Sequence, residues 1–330
     1  PMERWRQGDF PWQHWQSEPS SSSQQNNIIR VAVAGNPNTG KSSLYNLITG
    51  SHAQVGNYSG VTVDSKRIRF EYKGATFEFI DLPGSYSLSA YSFEEVVSRD
   101  FILVQKPDVV LDVMDATNLE RNLYLLLQFQ ELGVPVVGAL NMIDEADTLG
   151  IDIDHDQLAK LLQIPLVKTS AVKNTGIPHL LDTLLFSAQQ AQKIHNFQNG
   201  CYSSLALSEP KGRHLNYGPA LEKSHDELIQ TMSSDQKFSE KYSLHWTAIK
   251  LLEDDADAKL KIEKEHNEGN KALKFAASLR KELEKEFGLD PAILVAQQRY
   301  GFIRGALSEA VTLPEQKPAR NLSEQLDRLA

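Results

Sequence analysis

The feature that most constrains this chain is an eight-residue loop that directly follows a short apolar run. Residues 28–34 are rich in β-branched and small apolar side chains and predict a buried strand. The loop residues are Gly35, Asn36, Pro37, Asn38, Thr39, Gly40, Lys41 and Ser42. They match the pattern GxxxxGK[ST] without a mismatch, in which backbone N–H groups and a helix N-terminus surround phosphates. The loop therefore predicts a site for a nucleoside triphosphate.

The same pattern assigns roles to individual side chains of the loop. We expect the Lys41 ammonium to reach the β- and γ-phosphates and the Ser42 hydroxyl to bind Mg²⁺. Ser43 follows at the start of the predicted helix and is a further candidate contact to the nucleotide. The loop alone does not say which base is bound.

Two later motifs stand where switch elements belong. Gly60, Val61 and Thr62 form a candidate first switch, in which Thr62 closes over Mg²⁺ when a γ-phosphate is present. The second candidate, with the pattern DxxG, consists of Asp81, Leu82, Pro83 and Gly84. We expect Asp81 to hold a magnesium-bound water and the Gly84 N–H to contact the γ-phosphate. The metal site predicted for Mg²⁺ is thus Ser42, Thr62 and Asp81.

A third motif selects the base. Asn141, Met142 and Asp144 belong to an NMID sequence at the end of an apolar run over 134–140, where NKxD is the commoner pattern. The Asp144 carboxylate can accept two N–H groups of guanine, and adenine lacks that pair of donors. Ser170 and Ala171 follow the last predicted strand, and the Ala171 N–H is expected to address guanine O6. The five motifs, in this order, predict binding of GTP and GDP.

Hydrolysis needs a group that Ras-like enzymes take from a glutamine just after DxxG. Here Ser85 occupies that position and is too short to hold water in the same way. The catalytic charge then comes from a partner's arginine, a second cation or a rearranged switch backbone. The Asn38 amide oxygen either binds a monovalent cation beside the phosphates or only satisfies backbone groups of its loop. The candidate catalytic residues are Asn38, Lys41, Thr62 and Gly84.

Apolar runs that alternate with helical patterns predict an α/β fold, a Ras-like P-loop GTPase with a mainly parallel sheet. Paired runs at Arg67–Tyr72 and Ala75–Asp81 predict one antiparallel edge. Further strands are expected at 108–113, 134–140 and 165–168, and a helix at 118–132. Beyond about residue 190 the patterns predict an all-helical second domain with helices over 244–265, 270–287 and 291–311. The expected divisions are a disordered tail 1–27, a GTP-binding domain 28–190, a helical domain 191–312 and a linker 313–330.

Composition excludes several classes of protein. The net charge of −9 argues against a nucleic-acid binder held by phosphate contacts. Cys201 is the single cysteine, so neither an internal disulfide nor a thiolate cluster can form, and a reducing cytosolic setting is expected. No run approaches the ~18 apolar residues of a membrane span, and we expect no secretory signal. We expect this polypeptide to be soluble.

With these motifs in hand, the chain resembles the cytoplasmic part of FeoB-type bacterial ferrous-iron transporters. The resemblance rests on the phosphate loop, Val55-Gly-Asn-Tyr-Ser-Gly-Val-Thr62, Asp81-Leu-Pro-Gly-Ser-Tyr-Ser-Leu88, Asn141-Met-Ile-Asp144, Trp246-Thr-Ala-Ile-Lys-Leu-Leu-Glu253 and Arg299-Tyr-Gly-Phe-Ile303. It implies a G domain and a helical domain that acts like a GDP-dissociation inhibitor (GDI-like). It also implies a following membrane permease at the bacterial inner membrane, with this part on the cytoplasmic face.

The resemblance further implies that Asn38 binds K⁺ and that K⁺ stimulates hydrolysis. It allows for small cytosolic Feo accessory proteins and a homo-oligomer as partners. One departure is Tyr58-Ser59 where the family often has Trp-Pro, which frees backbone that proline would stiffen. Two other functions stay open from the sequence: a free-standing cytosolic GTPase of ribosome or RNA maturation, and an ATP-using enzyme.

Overall fold

A computed structural model describes residues 28–50, 67–89, 92–199 and 215–314 of the 330-residue chain. Several sequence predictions lie outside these residues: the tail 1–27, the first-switch residues Gly60, Val61 and Thr62, and the linker beyond residue 314.

A six-stranded sheet forms the centre of the first half of the chain. Its strands are β1 (Ile28–Gly35), β2 (Arg67–Tyr72), β3 (Ala75–Asp81), β4 (Val109–Asp115), β5 (Val136–Asn141) and β7 (Leu166–Lys168). The spatial order is β2-β3-β1-β4-β5-β7, and only β2 and β3 pair antiparallel. This confirms the predicted mainly parallel sheet with one antiparallel edge.

Both faces of the sheet are covered by helices, as a parallel sheet requires. Along β4, Val109, Leu111 and Val113 face one core, whereas Val110 and Met114 face the other. Helices α1 (Lys41–Gly50) and α6 (Ile177–Asn199) pack on the first face. Helices α2 (Phe93–Gln105), α3 (Leu119–Leu132), α4 (Ile143–Thr148) and α5 (His155–Leu162) contribute to the second.

The second half is helical, as predicted, apart from one short strand. It contains α7 (Pro219–Met232), α8 (Gln236–Lys241), α9 (Leu244–Leu252), α10 (Ala256–Glu265), α11 (Gly269–Phe287) and α12 (Pro291–Ala310). Asp290 caps α12, because its carboxylate accepts the Ala292 N–H at 2.8 Å. Among the described helices, none combines the length and apolar content needed to span a bilayer.

The prediction of one helix over 244–265 is wrong. The chain breaks after α9 at Asp254, whose backbone is left-handed with a φ of 63°. Asp255 then starts α10, since its carboxylate accepts the N–H groups of Asp257 and Ala258 at 3.1 and 2.9 Å. An apolar stripe that continues through the break concealed this change of direction from the sequence pattern.

The last predicted helix also ends one residue earlier than expected. Val311 and Thr312 form strand β8, which pairs antiparallel with β6 (Asp152–Ile153). This two-stranded ribbon returns the end of α12 to the first half of the chain.

A buried arginine joins α12 to the first half. Arg299 is fully buried, and its Nε and Nη2 lie 2.7 and 2.8 Å from the two carboxylate oxygens of Glu131 on α3. Its Nη1 also bonds Glu253. Burial raises the pKa of Glu253, but the charges of Arg299 and Lys250 outweigh it and lower that pKa to about 2. The two halves are thus joined by ion pairs that are buried away from water.

This arrangement predicts a large stability cost for Arg299→Ala, about 3–5 kcal/mol, because Glu131 would remain buried without its cation and Glu253 would keep only Lys250. Arg304 is a matched control, since it lies on the same helix and reaches Glu120 on α3 from a side chain that is 72% exposed. Arg304→Ala should cost no more than about 1 kcal/mol. Urea unfolding of both variants measures the difference, and equal losses would refute this role for Arg299.

Candidate functional site

The predicted site residues collect at one edge of the sheet. The loops after β1, β3, β5 and β7 all leave the carboxyl ends of parallel strands, so they meet at the same edge. Crevices at this edge are the usual ligand sites of open α/β sheets.

Two glycines let the phosphate loop pass close to its neighbours. Gly35 has a φ of 152°, and a Cβ there would overlap the carbonyl oxygen of Val113. Gly40 has a φ of 77°, and a Cβ there would overlap Nδ2 of Asn141. Both positions therefore require glycine, and the cradle has the form that a phosphate group fits.

The exposed side of the loop carries the candidate ion ligands. Asn38 is exposed and holds a left-handed backbone with a φ of 69°, which asparagine tolerates better than most residues. Helix α1 starts at Lys41, and Ser42 and Ser43 are exposed in its first turn. Hydroxyl, amide and carboxylate oxygens are the ligand type that hard cations prefer, so this donor set fits Mg²⁺ and a monovalent cation.

The phosphate loop and the second switch are joined by an ion pair. Lys41 Nζ bonds Oδ1 of Asp81, and both side chains are largely buried. A magnesium-bound triphosphate would compete for both groups, because phosphate oxygens attract the ammonium and Mg²⁺ attracts the carboxylate. The pair therefore brings together the two charges that the sequence assigned to the phosphates and the metal.

Backbone contacts place the second switch beside the same loop. The Leu82 N–H donates to the Val33 carbonyl at 2.9 Å, and the Ser85 N–H donates to the Gly35 carbonyl at 3.3 Å. Between them, Gly84 passes against Pro37, where a Cβ would make ordinary contact at 3.5 Å. The Gly84 backbone is thus adjacent to the phosphate loop, as its predicted contact with a γ-phosphate requires.

Asn141 connects the phosphate loop with the two candidate base-recognition segments. Its side chain is buried, and Nδ2 donates to the Thr39 carbonyl at 2.9 Å. Its Oδ1 accepts the Ala171 N–H at 3.2 Å and the Thr169 hydroxyl at 3.3 Å. One carboxamide therefore fixes three segments that are distant in the sequence.

The candidate guanine-reading carboxylate is charged and oriented. The hydroxyl of Ser170 bonds the Asp144 carboxylate and lowers its pKa. Met142 has a left-handed backbone with a φ of 59° at the start of α4, and its side chain approaches Gly40. An ionised acceptor and an apolar side chain are the groups needed to bond the edge of a purine and cover its face.

Residues that the sequence did not single out hold the far end of the second switch. Glu95 accepts the hydroxyls of Ser87 and Ser89 at 2.7 and 3.0 Å, and Gln128 accepts the Leu88 N–H. These partners lie on α2 and α3, outside the motifs from which the site was predicted.

A second missed contact lies near the phosphate loop. Asn36 Nδ2 donates to the Arg121 carbonyl at 3.2 Å, and the Arg121 guanidinium lies 3.9 Å from the ring centroid of Tyr86. This connects the loop, the start of α3 and the second switch through one residue.

The described candidate residues therefore converge, whereas the first-switch candidates Gly60, Val61 and Thr62 lie outside the described part of the chain. Within that part, no cluster of three His, Cys, Asp or Glu residues suits a metal ion. The described residues thus form a candidate nucleotide site, with oxygen atoms of the kind that bind hard cations.

Comparison with protein families gives two matches. Residues 29–184 match the family described as Ferrous iron transport protein B, and residues 217–312 match the FeoB cytosolic helical domain. The Fe(2+) transport protein A/Fe(2+) transporter FeoB fusion protein of Porphyromonas gingivalis is 37% identical over 92% of this chain. The Fe(2+) transporter FeoB of Methanocaldococcus jannaschii is 37% identical over 85%.

Solved structures show the same relationship. A GDP-bound mutant of the S. thermophilus FeoB G-domain is 35% identical, with a TM-score of 0.70 over 86% of this chain and 100% of that one. The cytosolic domain of T. maritima FeoB in a GMPPNP form is 32% identical, with a TM-score of 0.67 over 86% of this chain and 99% of that one. The fold is therefore that of a P-loop GTPase.

The chain spans only part of its curated relatives. It covers 34% of the P. gingivalis protein, 39% of the M. jannaschii protein and 32% of the Fe(2+) transporter FeoB of Escherichia coli K12.

The geometry predicts that Asn141→Ala weakens GDP binding by about tenfold or more, because the lost carboxamide leaves buried partners unpaired and releases the base-recognition loop. Asn46→Ala is the control, since Asn46 is exposed on α1 outside the site. Titration with fluorescent GDP measures both affinities. Equal affinities in the two variants would contradict the role of Asn141.

Proposed function

This chain belongs to the FeoB family as its G domain and cytosolic helical domain, and from that premise we propose that it binds and hydrolyses GTP to regulate ferrous-iron uptake. The observation that carries the proposal is the Asn141 carboxamide, which joins the phosphate loop to the base-recognition loop. A site built in this way can bind the polyphosphate and the purine of one nucleotide at the same time.

Binding divides between the two ends of the site. We infer that backbone N–H groups of Gly35–Lys41 and the Lys41 ammonium hold the phosphates, with Ser42 and Ser43 at the helix N-terminus. The Asp144 carboxylate selects guanine, since adenine would leave this charge unpaired. Ser170 orients that carboxylate, and the Ala171 N–H addresses guanine O6.

Magnesium is proposed to bind through Ser42, Thr62 and, by way of a water, Asp81. When bound it neutralises charge on the phosphates. A bound triphosphate would draw the Lys41 ammonium from Asp81 to phosphate oxygens, and the Asp81 carboxylate would then be available to hold a water of the metal ion. The Gly84 N–H stays beside the phosphate loop during this exchange, because hydrogen bonds of Leu82 and Ser85 tie its segment to β1 and to Gly35.

The proposed hydrolytic machinery has no side chain that matches the glutamine of Ras-like enzymes. Ser85 stands there, and it is buried. We propose that the Asn38 amide oxygen holds K⁺ beside the phosphates, while Thr62 and Gly84 order the switches. The exposed, left-handed Asn38 supports this role, because its side chain is free to turn toward an ion.

GTP hydrolysis should therefore be faster in K⁺ than in Na⁺ at equal ionic strength, by about tenfold or more. Asn38→Ala should remove the difference and leave GDP affinity within about twofold, because the backbone N–H groups that bind phosphate remain. Phosphate release assays in the two salts measure this. A K⁺ effect that survives in Asn38→Ala would exclude Asn38 as the ligand.

The iron-uptake part of the proposal rests on the relatives, which are named Fe(2+) transporters and extend well beyond this chain. We propose that the full-length protein carries a permease in the bacterial inner membrane, with this part on its cytoplasmic side. A small Feo accessory protein is a candidate partner, in keeping with the fusion in P. gingivalis. Family membership favours this function over a free-standing GTPase of ribosome or RNA maturation.

In an iron-uptake-deficient strain, the full-length protein that contains this chain should restore ferrous-iron uptake. Asp144→Ala should reduce uptake about tenfold or more, because GTP would lose its base contact. Asp147→Ala is the control, since Asp147 is exposed on the same short helix. Unchanged uptake with Asp144→Ala, at equal protein level in the membrane, would refute the coupling of GTP to transport.

A further inference from the structure

We propose that Arg99 is a positioning residue for GTP hydrolysis, which fixes the second-switch segment (residues 81–89) against the helical half of the chain. The inference rests on the proposed function. It goes beyond that function because it assigns the connection between the helical half and Gly84 to one buried side chain.

Arg99 lies on α2 and is fully buried. Its Nη1 lies 3.4 Å from the Leu88 carbonyl oxygen and 3.4 Å from Oδ2 of Asp255. Its Nη2 lies 2.8 Å from Oδ2 of Asp257. One planar group therefore contacts the second-switch segment and the helical half at the same time.

Arg99 contacts the second switch at Leu88, whose position is restricted by burial and by a second hydrogen bond. Leu88 is buried, its carbonyl faces Arg99, and its N–H donates to Gln128. Only three residues separate Leu88 from Gly84, so a displacement at one end of this span is transmitted to the other. Arg99 thus limits where the Gly84 N–H can lie.

Arg99 contacts the helical half at the start of α10, where a helix cap fixes the backbone. Asp255 and Asp257 lie at the break between α9 and α10, and Asp255 caps α10 through the N–H groups of Asp257 and Ala258. Any rotation of α10 against α2 would carry these carboxylates with it. The guanidinium must follow them or lose its charge partners.

The local charges prevent Arg99 from leaving. Asp100, Asp255 and Asp257 are at most 12% exposed, and Lys261 is the other cation that the structure places among them, 2.8 Å from Asp100 and 2.7 Å from Asp257. Without Arg99, three acidic groups would share one ammonium in a buried site. The switch segment and the helical half are therefore linked through this cluster, so that a movement of one is carried to the other.

Lysine cannot replace this arginine in the same role. A guanidinium presents several N–H groups in one plane and reaches a carbonyl and two carboxylates at once, whereas an ammonium is a compact point charge. Arg99→Lys thus keeps the charge and removes the simultaneous contacts. Arg299→Lys is the matched control, because Arg299 also joins the two halves from a buried position but contacts α3 through Glu131 rather than the switch segment.

Trp246 supplies a spectroscopic reporter. Its buried ring lies 5.7 Å from the Arg99 guanidinium, and the other tryptophans of the chain are Trp5, Trp12 and Trp15. Changing those three to Phe in every variant leaves Trp246 as the sole source of tryptophan fluorescence. A shift of the guanidinium when GDP is exchanged for GMPPNP should alter its emission, because the indole responds to a nearby charge.

The experiment measures kcat and KM for GTP together with the Trp246 emission change in the parent, Arg99→Lys and Arg299→Lys. We expect Arg99→Lys to lower kcat about tenfold, to change KM less than about twofold and to abolish the emission change. Arg299→Lys should retain both kcat and the emission change. Asp257→Asn tests the same connection from the helical side. It replaces Arg99→Lys if that variant does not fold, and it should also lower kcat.

The possible outcomes distinguish a failure of the proposed role of Arg99 from a failure of the proposed function. Arg99→Lys and Arg299→Lys with equal kcat and equal emission changes, in a parent that hydrolyses GTP, would overturn the role of Arg99 alone. A loss in Arg99→Lys that appears only in KM would overturn it as well, because nucleotide binding and not switch position would have changed. A folded parent that neither binds nor hydrolyses GTP would overturn the proposed function itself.

Discussion

The hydrogen bonds of the Asn141 carboxamide are the constraint on which the site depends. Its NH₂ group bonds the phosphate loop at Thr39, and its oxygen bonds the Ala171 N–H. Gly40 must lack a side chain because Asn141 occupies that space. The proposed triphosphate cradle and the proposed purine-reading carboxylate can act on one nucleotide only at a fixed separation, and the buried Asn141 amide sets that separation.

The connection between the halves of the chain relies on the opposite kind of interaction. Arg99 and Arg299 are buried cations, each surrounded by two or more carboxylates from different helices. Such groups add little net stability, because desolvation opposes their attraction, but they penalise any arrangement that separates them. The helical half is thus held in one orientation relative to α2 and α3, and through α2 relative to the second switch.

The sequence predicts the local parts of this arrangement well. The phosphate loop, DxxG and NMID are contiguous, and their strands have regular apolar patterns, so both the sheet and the described site residues follow from them. The long-range contacts could not be predicted, because nothing near Arg99 in the sequence indicates that Asp255 and Asp257, more than 150 residues away, are among its partners. The break at Asp254 was missed since the apolar periodicity continues through it. Asp112 also breaks the pattern of its strand: it is fully buried, and burial raises its pKa to about 8.

We propose that inward-facing backbone amides and Lys41 hold a polyphosphate while Asp144 selects guanine. Calorimetric titration of the folded chain with GDP and with ADP, each with magnesium, tests it most directly. The account predicts saturable binding of GDP and at least about a hundredfold weaker binding of ADP, since adenine leaves the carboxylate without donors. Equal binding of the two nucleotides, or no heat with GDP, would contradict it.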